Sequence, residues 1–477
     1  MIYTQLEFFI LFAATLALYL WTSSYQLRSL ILISSSFIFY AWAGIFDFVI
    51  FMIVIVVSYW SVYLAHRYPE KRRLFVYPGV AVLALHLFVW KYLPWISHQF
   101  GSRLQLPLPL GISFFTLQGI GYLIDYSRNT TKLMTFREFL LFKSFFPQLI
   151  SGPIVRARDM FSYLRTLPDP KGAEAMEGIF LICTGLVKKL IIADFLAMFA
   201  DGVFSEPSRL DRATLMLGAV AFYLQIWGDF SGYTDMGRGC ALLLGVRLPQ
   251  NFYSVLYACS PTEWGQRWHA TLGNWMRDYV YKPLMRIFPK SWNLVFRHTL
   301  GMYVTLILIA LWHGASYNFL LWGAALCLAK FVEYWSHYFG LVEKVPRAWR
   351  KPAGCAIMFI PIMVMAVMFR SQTIPDIWIY LQGVFGENSN TASFIPFAGG
   401  VFWRVALAFG LDGMLYYDLQ KREYIFAEFL RSRVAKILLT HPVPASCAAG
   451  ALAGAVIIIS IAFRANDNIS SFIYFRF

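Results

Sequence analysis

Two histidines are the strongest candidates for chemistry in this chain. His313 lies in Ala310-Leu-Trp-His-Gly-Ala-Ser-Tyr-Asn-Phe-Leu-Leu-Trp-Gly323, within a stretch from Thr299 to Phe331 whose only acids or bases are His313 and Lys330. Imidazole changes charge near neutral pH, so it can take a proton from a hydroxyl and return it. An ionisable group in the middle of an apolar run is costly and marks a functional site by default. His269 is the second. Its i−4 and i+4 neighbours are Gly265 and Gly273, which would leave bare backbone above and below the ring on a helix. Such glycines weaken a helix, so they indicate either a groove where a ligand reaches His269 or a close helix crossing. Asp229 and Asp235 bracket Ser231 and Gly232. Buried carboxylates must be hydrogen-bonded, and these either cap a helix start or orient a histidine or line a channel. Arg267 and Asn318, polar neighbours of the two histidines in sequence, are supporting candidates.

The elements that must position these residues are membrane helices. Of 477 residues, 58% are hydrophobic and 14% charged. A soluble domain has about 25% charged residues, so the chain is expected to be an all-α polytopic membrane protein, with one membrane-embedded domain over 1–477. Spans are expected at 5–22, 27–43, 46–65, 74–96, 108–125, 178–199, 213–230, 299–331 (bent), 354–369, 400–417 and 447–464, about eleven in all. The stretches 139–155 and 232–246 are short enough to be re-entrant. The first span carries Glu7 and no basic leader, so it reads as retained, not as a cleaved signal. As one helix, the 33 positions from Thr299 to Phe331 would reach about 50 Å against a hydrocarbon core of about 30 Å. That run must tilt, bend or break, with Gly314-Ala315-Ser316 as the place. Broken backbone at membrane depth needs protein or a wet cavity to satisfy it.

The net charge of +15 comes from bases between the apolar runs. This pattern fits cytoplasmic loops facing anionic lipid and does not indicate nucleic acid. The basic loop His66–Arg73 places the end of the third span in the cytoplasm and the N-terminus outside. The basic region Arg247–Arg297 suits either a coenzyme A diphosphate or phospholipid headgroups. Pro147, Gly152 and Pro153 interrupt Phe145–Arg156, as a broken hairpin or a kinked packed helix. Ser260-Pro-Thr-Glu263 reads as a capping box opening a helix that runs to about Tyr281. The stripe Trp264, Trp268, Thr271, Trp275 and Tyr279 on that helix reads as packing or interface. The six cysteines are scattered without a C-x-x-C pair and read as apolar packing residues, with no disulfide framework or zinc site. HExxH, a P-loop and GxSxG are absent.

Taken together, Phe146-Pro-Gln-Leu-Ile-Ser-Gly-Pro-Ile154, Asp229-Phe-Ser-Gly-Tyr-Thr-Asp235, Arg267-Trp-His269 followed by Trp275-Met-Arg-Asp-Tyr279, and Leu311-Trp-His-Gly-Ala-Ser316 resemble the membrane-bound O-acyltransferases. The bacterial alginate O-acetyltransferase branch is the most similar, also through Phe369-Arg-Ser371 and the closing Phe472–Phe477. Gly265-Gln-Arg267 departs from the bulkier, more basic run of that branch. The resemblance implies helices, re-entrant and interfacial segments around a central funnel, with His313 and His269 at the positions of the branch's two histidines. It also implies a bacterial inner-membrane protein that moves an acetyl group from cytoplasmic acetyl-CoA towards a polymer hydroxyl such as that of alginate or cellulose. Periplasmic acetyltransferase or polysaccharide-synthesis partners are implied, with no permanently bound cofactor and no metal. In that scheme His313 is the general base or acyl relay, and His269 polarises the donor carbonyl or orients the acceptor. Asp229 or Asp235 fixes a histidine tautomer. D-alanyl, peptidoglycan or lipid acylation within the family is the nearest alternative. A transporter or flippase for an envelope precursor is the alternative from another class, although no paired inverted halves are seen.

Overall fold

The apolar runs fold as helices because in lipid every backbone N–H and C=O must be satisfied within its own segment. A computed structural model describes residues 1–421 apart from 2, 103, 151, 391 and 393–397. Among the described residues the only β-type pairing is an isolated bridge between Leu210 and Ala392. The principal helices are Leu6–Trp21, Tyr25–Ala41, Ile45–Arg67, Arg72–Lys91, Ile112–Ser127, Gly172–Leu186, Arg212–Leu243, Leu294–His313, Tyr317–Tyr338, Arg347–Arg370 and Ala398–Lys421. Of the described helical stretches, five are long and apolar enough to cross a membrane: Ile45–Arg67, Pro69–Lys91, Arg212–Leu243, Leu294–His313 and Arg347–Arg370. The chain is an all-α polytopic membrane protein. The expected span 447–464 and the closing Phe472–Phe477 lie outside the described residues.

Four expectations are corrected by this architecture. The run from Thr299 to Phe331 is not one bent span. It is two helices, Leu294–His313 and Tyr317–Tyr338, folded back on each other at Gly314-Ala315-Ser316. A Cβ on Gly323 would come within 2.8 Å of the Ala310 Cβ, a measure of how closely the two helices pack. Gly314 is required at the fold, because a Cβ there would lie 2.0 Å from the Phe319 ring. Ser316 then caps the return helix, its Oγ accepting from Phe319 N–H at 3.4 Å.

The segments 213–230 and 232–246 are not separate. Arg212–Leu243 is one continuous helix of 32 residues, and it is the buried axis of the bundle. Asp229 and Asp235 are therefore mid-helix rather than caps. The helix Gly172–Leu186 lies against this axis through small residues, with Gly185 facing Gly232 and Gly178 facing Gly239. A Cβ on either Gly185 or Gly232 would come within 2.6 Å of the other's carbonyl oxygen. Beyond it the chain adopts a π-helical turn, Val187–Ala193, carrying Lys188 and Lys189. Lys188 pairs with Asp235 at 2.7 Å, and Lys189 with Asp194 at 2.8 Å and Asp229 at 2.9 Å. Ionisable groups inside a membrane bundle are expected to be paired in this way.

The helix expected from Ser260 to about Tyr281 is broken at Trp268-His269 into Pro261–Arg267 and Ala270–Met276. The cap is as expected, with Glu263 N–H donating to Ser260 Oγ at 3.2 Å, but the Glu263 carboxylate reaches back one residue further, to Cys259 N–H at 2.7 Å. Cys259 and Cys355 form a disulfide across 96 residues. The sequence gives no sign of it, because tertiary packing alone brings the two together.

The segment interrupted by prolines is a helix, Phe136–Ser144, then one turn, Phe146–Leu149, then irregular chain, and it is buried. Protein groups satisfy its backbone: Tyr3 OH donates to Phe146 O at 3.1 Å, and Phe146 N–H to Ser36 Oγ at 3.2 Å. Ile154 N–H donates to Thr271 Oγ1 at 3.0 Å.

Candidate active site

His313 is the last residue of its helix, where the final carbonyls have no partner in the helix itself. The end of the neighbouring helix supplies partners. Lys91 donates to the carbonyl of Trp312, and Tyr92 OH to that of Leu311 at 3.0 Å. The break beside His313 is thus a capped end inside the bundle. The imidazole is 4% exposed and lies edge-on against Trp322 and Phe369, with ring centroids 5.3 and 5.4 Å away. The Phe369-Arg370-Ser371 run is built around it. Arg370 is anchored to Asp201 at 2.6 Å, and the Ser371 carbonyl accepts from Asn318 Nδ2 at 2.6 Å. Asn318 therefore fastens the return helix to this run.

His269 comes to the same place from the broken segment. Its ring is 5.4 Å from that of Trp312, which is in turn 4.9 Å from His313. Its backbone is left-handed, φ 45° and ψ 49°, a conformation that costs a non-glycine residue energy and clusters at functional sites. The Nδ1 atom lies 3.1 Å from Asn251 Oδ1. That oxygen also accepts from Thr271 N–H at 3.2 Å and Thr271 Oγ1 at 2.9 Å, which fixes the orientation of the amide. An amide oxygen only accepts, so Nδ1 of the neutral ring carries the proton and Nε2 the lone pair. Nε2 has no hydrogen-bond partner among the described residues. Asn251 thus holds the place beside a histidine that the sequence suggested for Asp229 or Asp235, whose carboxylates bind Lys189 and Lys188. Asn251 was missed because it is 18 residues away and carries no motif.

Two cavities meet at His313. The first is almost wholly aromatic and aliphatic, lined by Tyr223, Trp264, Trp268, Trp322 and Phe369 as well as His313. Trp264 and Trp268 are therefore wall residues, with stacked rings 5.5 Å apart, and not packing alone. The rest of the stripe is structural: Trp275 Nε1 donates to Leu117 O at 3.0 Å. The second cavity has Lys91, Leu110, Ser113, Phe114 and Trp312 around His313. Lys91 is the other residue that sequence reading missed, a lone base at the end of an apolar span.

The remaining candidates are structural ties. Arg267 binds Glu263 and donates to Ser254 O at 2.8 Å. Nothing lies within 4 Å of a Cβ on Gly265, so the glycines near His269 do not mark a tight helix crossing. In the basic region Arg247 pairs with Glu177 at 3.0 Å. Asp278 binds Arg156 at 2.6 Å, Lys282 at 2.7 Å and Arg277 at 3.2 Å. Burial opposes ionisation of Asp278, but hydrogen bonds from Lys282, Arg277 and Arg156 outweigh it and hold the carboxyl well below its ordinary range. Among the described residues no three His, Cys, Asp or Glu side chains gather as a metal site.

Two buried imidazoles packed against Trp312, one of them lining two cavities within a membrane bundle, define a class. The chain belongs to the membrane-bound O-acyltransferase family, whose model matches residues 76–372. It is similar to the probable alginate O-acetylase AlgI of Azotobacter vinelandii, 31% identical over 418 residues that cover 82% of this chain and 80% of the relative. It is also similar to the peptidoglycan O-acetyltransferase of Helicobacter pylori, 31% identical over 399 residues that cover 75% and 73%. The teichoic acid D-alanyltransferase of Bacillus subtilis is 28% identical over 280 residues, covering 55% and 69%. The chain is an O-acyltransferase.

Proposed function

We propose that this enzyme transfers an acetyl group from acetyl-CoA, supplied from the cytoplasm, towards a hydroxyl of an envelope polysaccharide, across a bacterial inner membrane. In this reading the N-terminus is periplasmic, and a periplasmic acetyltransferase or polysaccharide-synthesis partner takes the acetyl group onward. The observation that carries the reading is that His313 lines both cavities. Cavity one adjoins Trp264 and Trp268, next to the basic region assigned to the cytoplasmic face. Cavity two includes residues 108–113, which follow the span after the His66–Arg73 loop and so fall on the opposite face in that topology. A donor and an acceptor entering from the two sides would meet at one imidazole.

His313 takes the proton of the attacking hydroxyl as the new C–O bond forms, and returns it to the thiolate as the C–S bond breaks. His269, held with its Nδ1 proton on Asn251 and packed against the Trp312 ring beside His313, orients the acceptor. The aromatic walls exclude water, which protects the thioester from hydrolysis. Relatives named for alginate and peptidoglycan acetylation support acetyl as the group and a glycan as the acceptor. The test is to offer acetyl-labelled acetyl-CoA to membranes that contain the protein and the polymer. Label in alkali-labile ester on the polymer or on a partner is expected. Label remaining wholly on coenzyme A would overturn the reading and favour a different acyl donor, such as the D-alanyl donor of the teichoic acid relatives.

A further inference from the structure

The second cavity is lined by a lysine that has no carboxylate partner among the described residues. Lys91 ends the helix Arg72–Lys91 and lines the cavity together with His313. Its partners are the carbonyl of Trp312 and, at 3.3 Å, Ser113 Oγ, both neutral. It stands 5.7 Å from the Trp312 ring centroid. Among the described residues no carboxylate lies within ion-pair distance of Lys91. A protonated lysine has three donors and the described residues engage two of them, which leaves one donor and the charge for an occupant of the cavity. Two further features point the same way. Ser113 Oγ accepts from Lys91, and its own O–H has no acceptor among the described residues. The wall also includes the first turn of the 16-residue helix Ile112–Ser127, the end of a helix that favours anions.

We infer that Lys91 and Ser113 form a site for a negatively charged oxygen beside His313. Two sources share this chemistry. One is the carboxylate of an acidic sugar in the acceptor. The other is the oxyanion formed when the acceptor hydroxyl adds to the thioester carbonyl, its π electrons moving onto oxygen before the thiolate leaves. The inference rests on the proposed function, because it takes the second cavity to be the acceptor side.

The test uses the full chain with Lys91→Gln and Lys91→Arg. Glutamine keeps an N–H for the Trp312 carbonyl but no charge, whereas arginine keeps the charge. Acetyl transfer from acetyl-CoA is measured with a uronic-acid oligosaccharide and with a neutral glucose oligosaccharide, and thermal stabilisation by the uronic-acid oligosaccharide is measured without donor. Lys91→Gln is expected to lose about 100-fold in transfer, with Lys91→Arg retaining most of it. Loss in kcat with both acceptors identifies the oxyanion. Loss confined to KM for the uronic-acid acceptor, together with its thermal shift, identifies the carboxylate. A folded Lys91→Gln protein with wild-type kcat, KM and thermal shift would overturn the inference and leave Lys91 as a helix cap. If the wild type moves no acetyl, the donor assignment fails by itself and the thermal shift still decides. A wild-type shift that Lys91→Gln loses supports the site, and no wild-type shift overturns it.

Discussion

Two sets of lysines lie inside this bundle and are treated in opposite ways. Lys188 and Lys189, on the π-turn against the central helix, are bound to Asp235, Asp194 and Asp229. Lys91 and Lys143 have no carboxylate partner among the described residues. Lys143 is completely buried and donates to the carbonyl of Phe115, while Lys91 borders a cavity and His313. Removing a charge from water is costly unless geometry and hydrogen bonds offset it. The paired set offsets that cost internally. An unpaired charge needs a ligand, water or a carbonyl, and the one that fronts a cavity is the one placed to meet substrate.

This contrast can be broken or sharpened by substitution. The largest effect is expected at Lys189→Met, which strands Asp194 and Asp229 together in the bundle. A loss of about 3–5 kcal/mol is expected, read as a collapse in the melting temperature and yield of the detergent-solubilised protein. Near-normal melting would mean that the triad is not a structural unit. Next is Asn251, which belongs to the site rather than to either lysine set. Asn251→Ala should cost about tenfold in acetyl transfer, since only the His269 tautomer is released. Asn251→Asp keeps an acceptor for the same three donors, and its charge favours the imidazolium, so the acidic limb of the pH–rate profile should move to higher pH. A purely packing role would leave that limb where it was. The smallest effect is expected at Lys143→Met. With no ion pair to break, stability should stay within about 1 kcal/mol of wild type or rise. A loss of several kcal/mol would show that Lys143 has a partner outside the described residues.

What the sequence reveals divides along the same line. The apolar runs foretell the helices, and Gly314-Ala315-Ser316 foretells the break, because both depend on local composition. The reversal of direction at that break does not follow from periodicity. It depends on Phe319 folding over Gly314 and on Lys91 and Tyr92 capping the exposed carbonyls, all of them tertiary contacts. Asp229 and Asp235 look like an interruption because their compensating lysines lie some 40 positions earlier, on a turn whose helix type has no sequence signature. His269 was legible as special but for the wrong reason. Its neighbours Gly265 and Gly273 would flank it only on a continuous helix, and the helix breaks at His269 itself. Asn251 and the Cys259–Cys355 link carry no local pattern at all.

In the proposed mechanism acyl transfer depends on His313, which lines both cavities. The direct measurement is His313→Ala beside His269→Ala, each in membranes with insertion and amount verified, followed by quantifying ester-linked acetyl on the polymer. His313→Ala is expected to abolish the ester while the protein stays inserted and folded, and His269→Ala to lower it with activity still detectable. Normal ester content in a correctly inserted His313→Ala protein would contradict that mechanism.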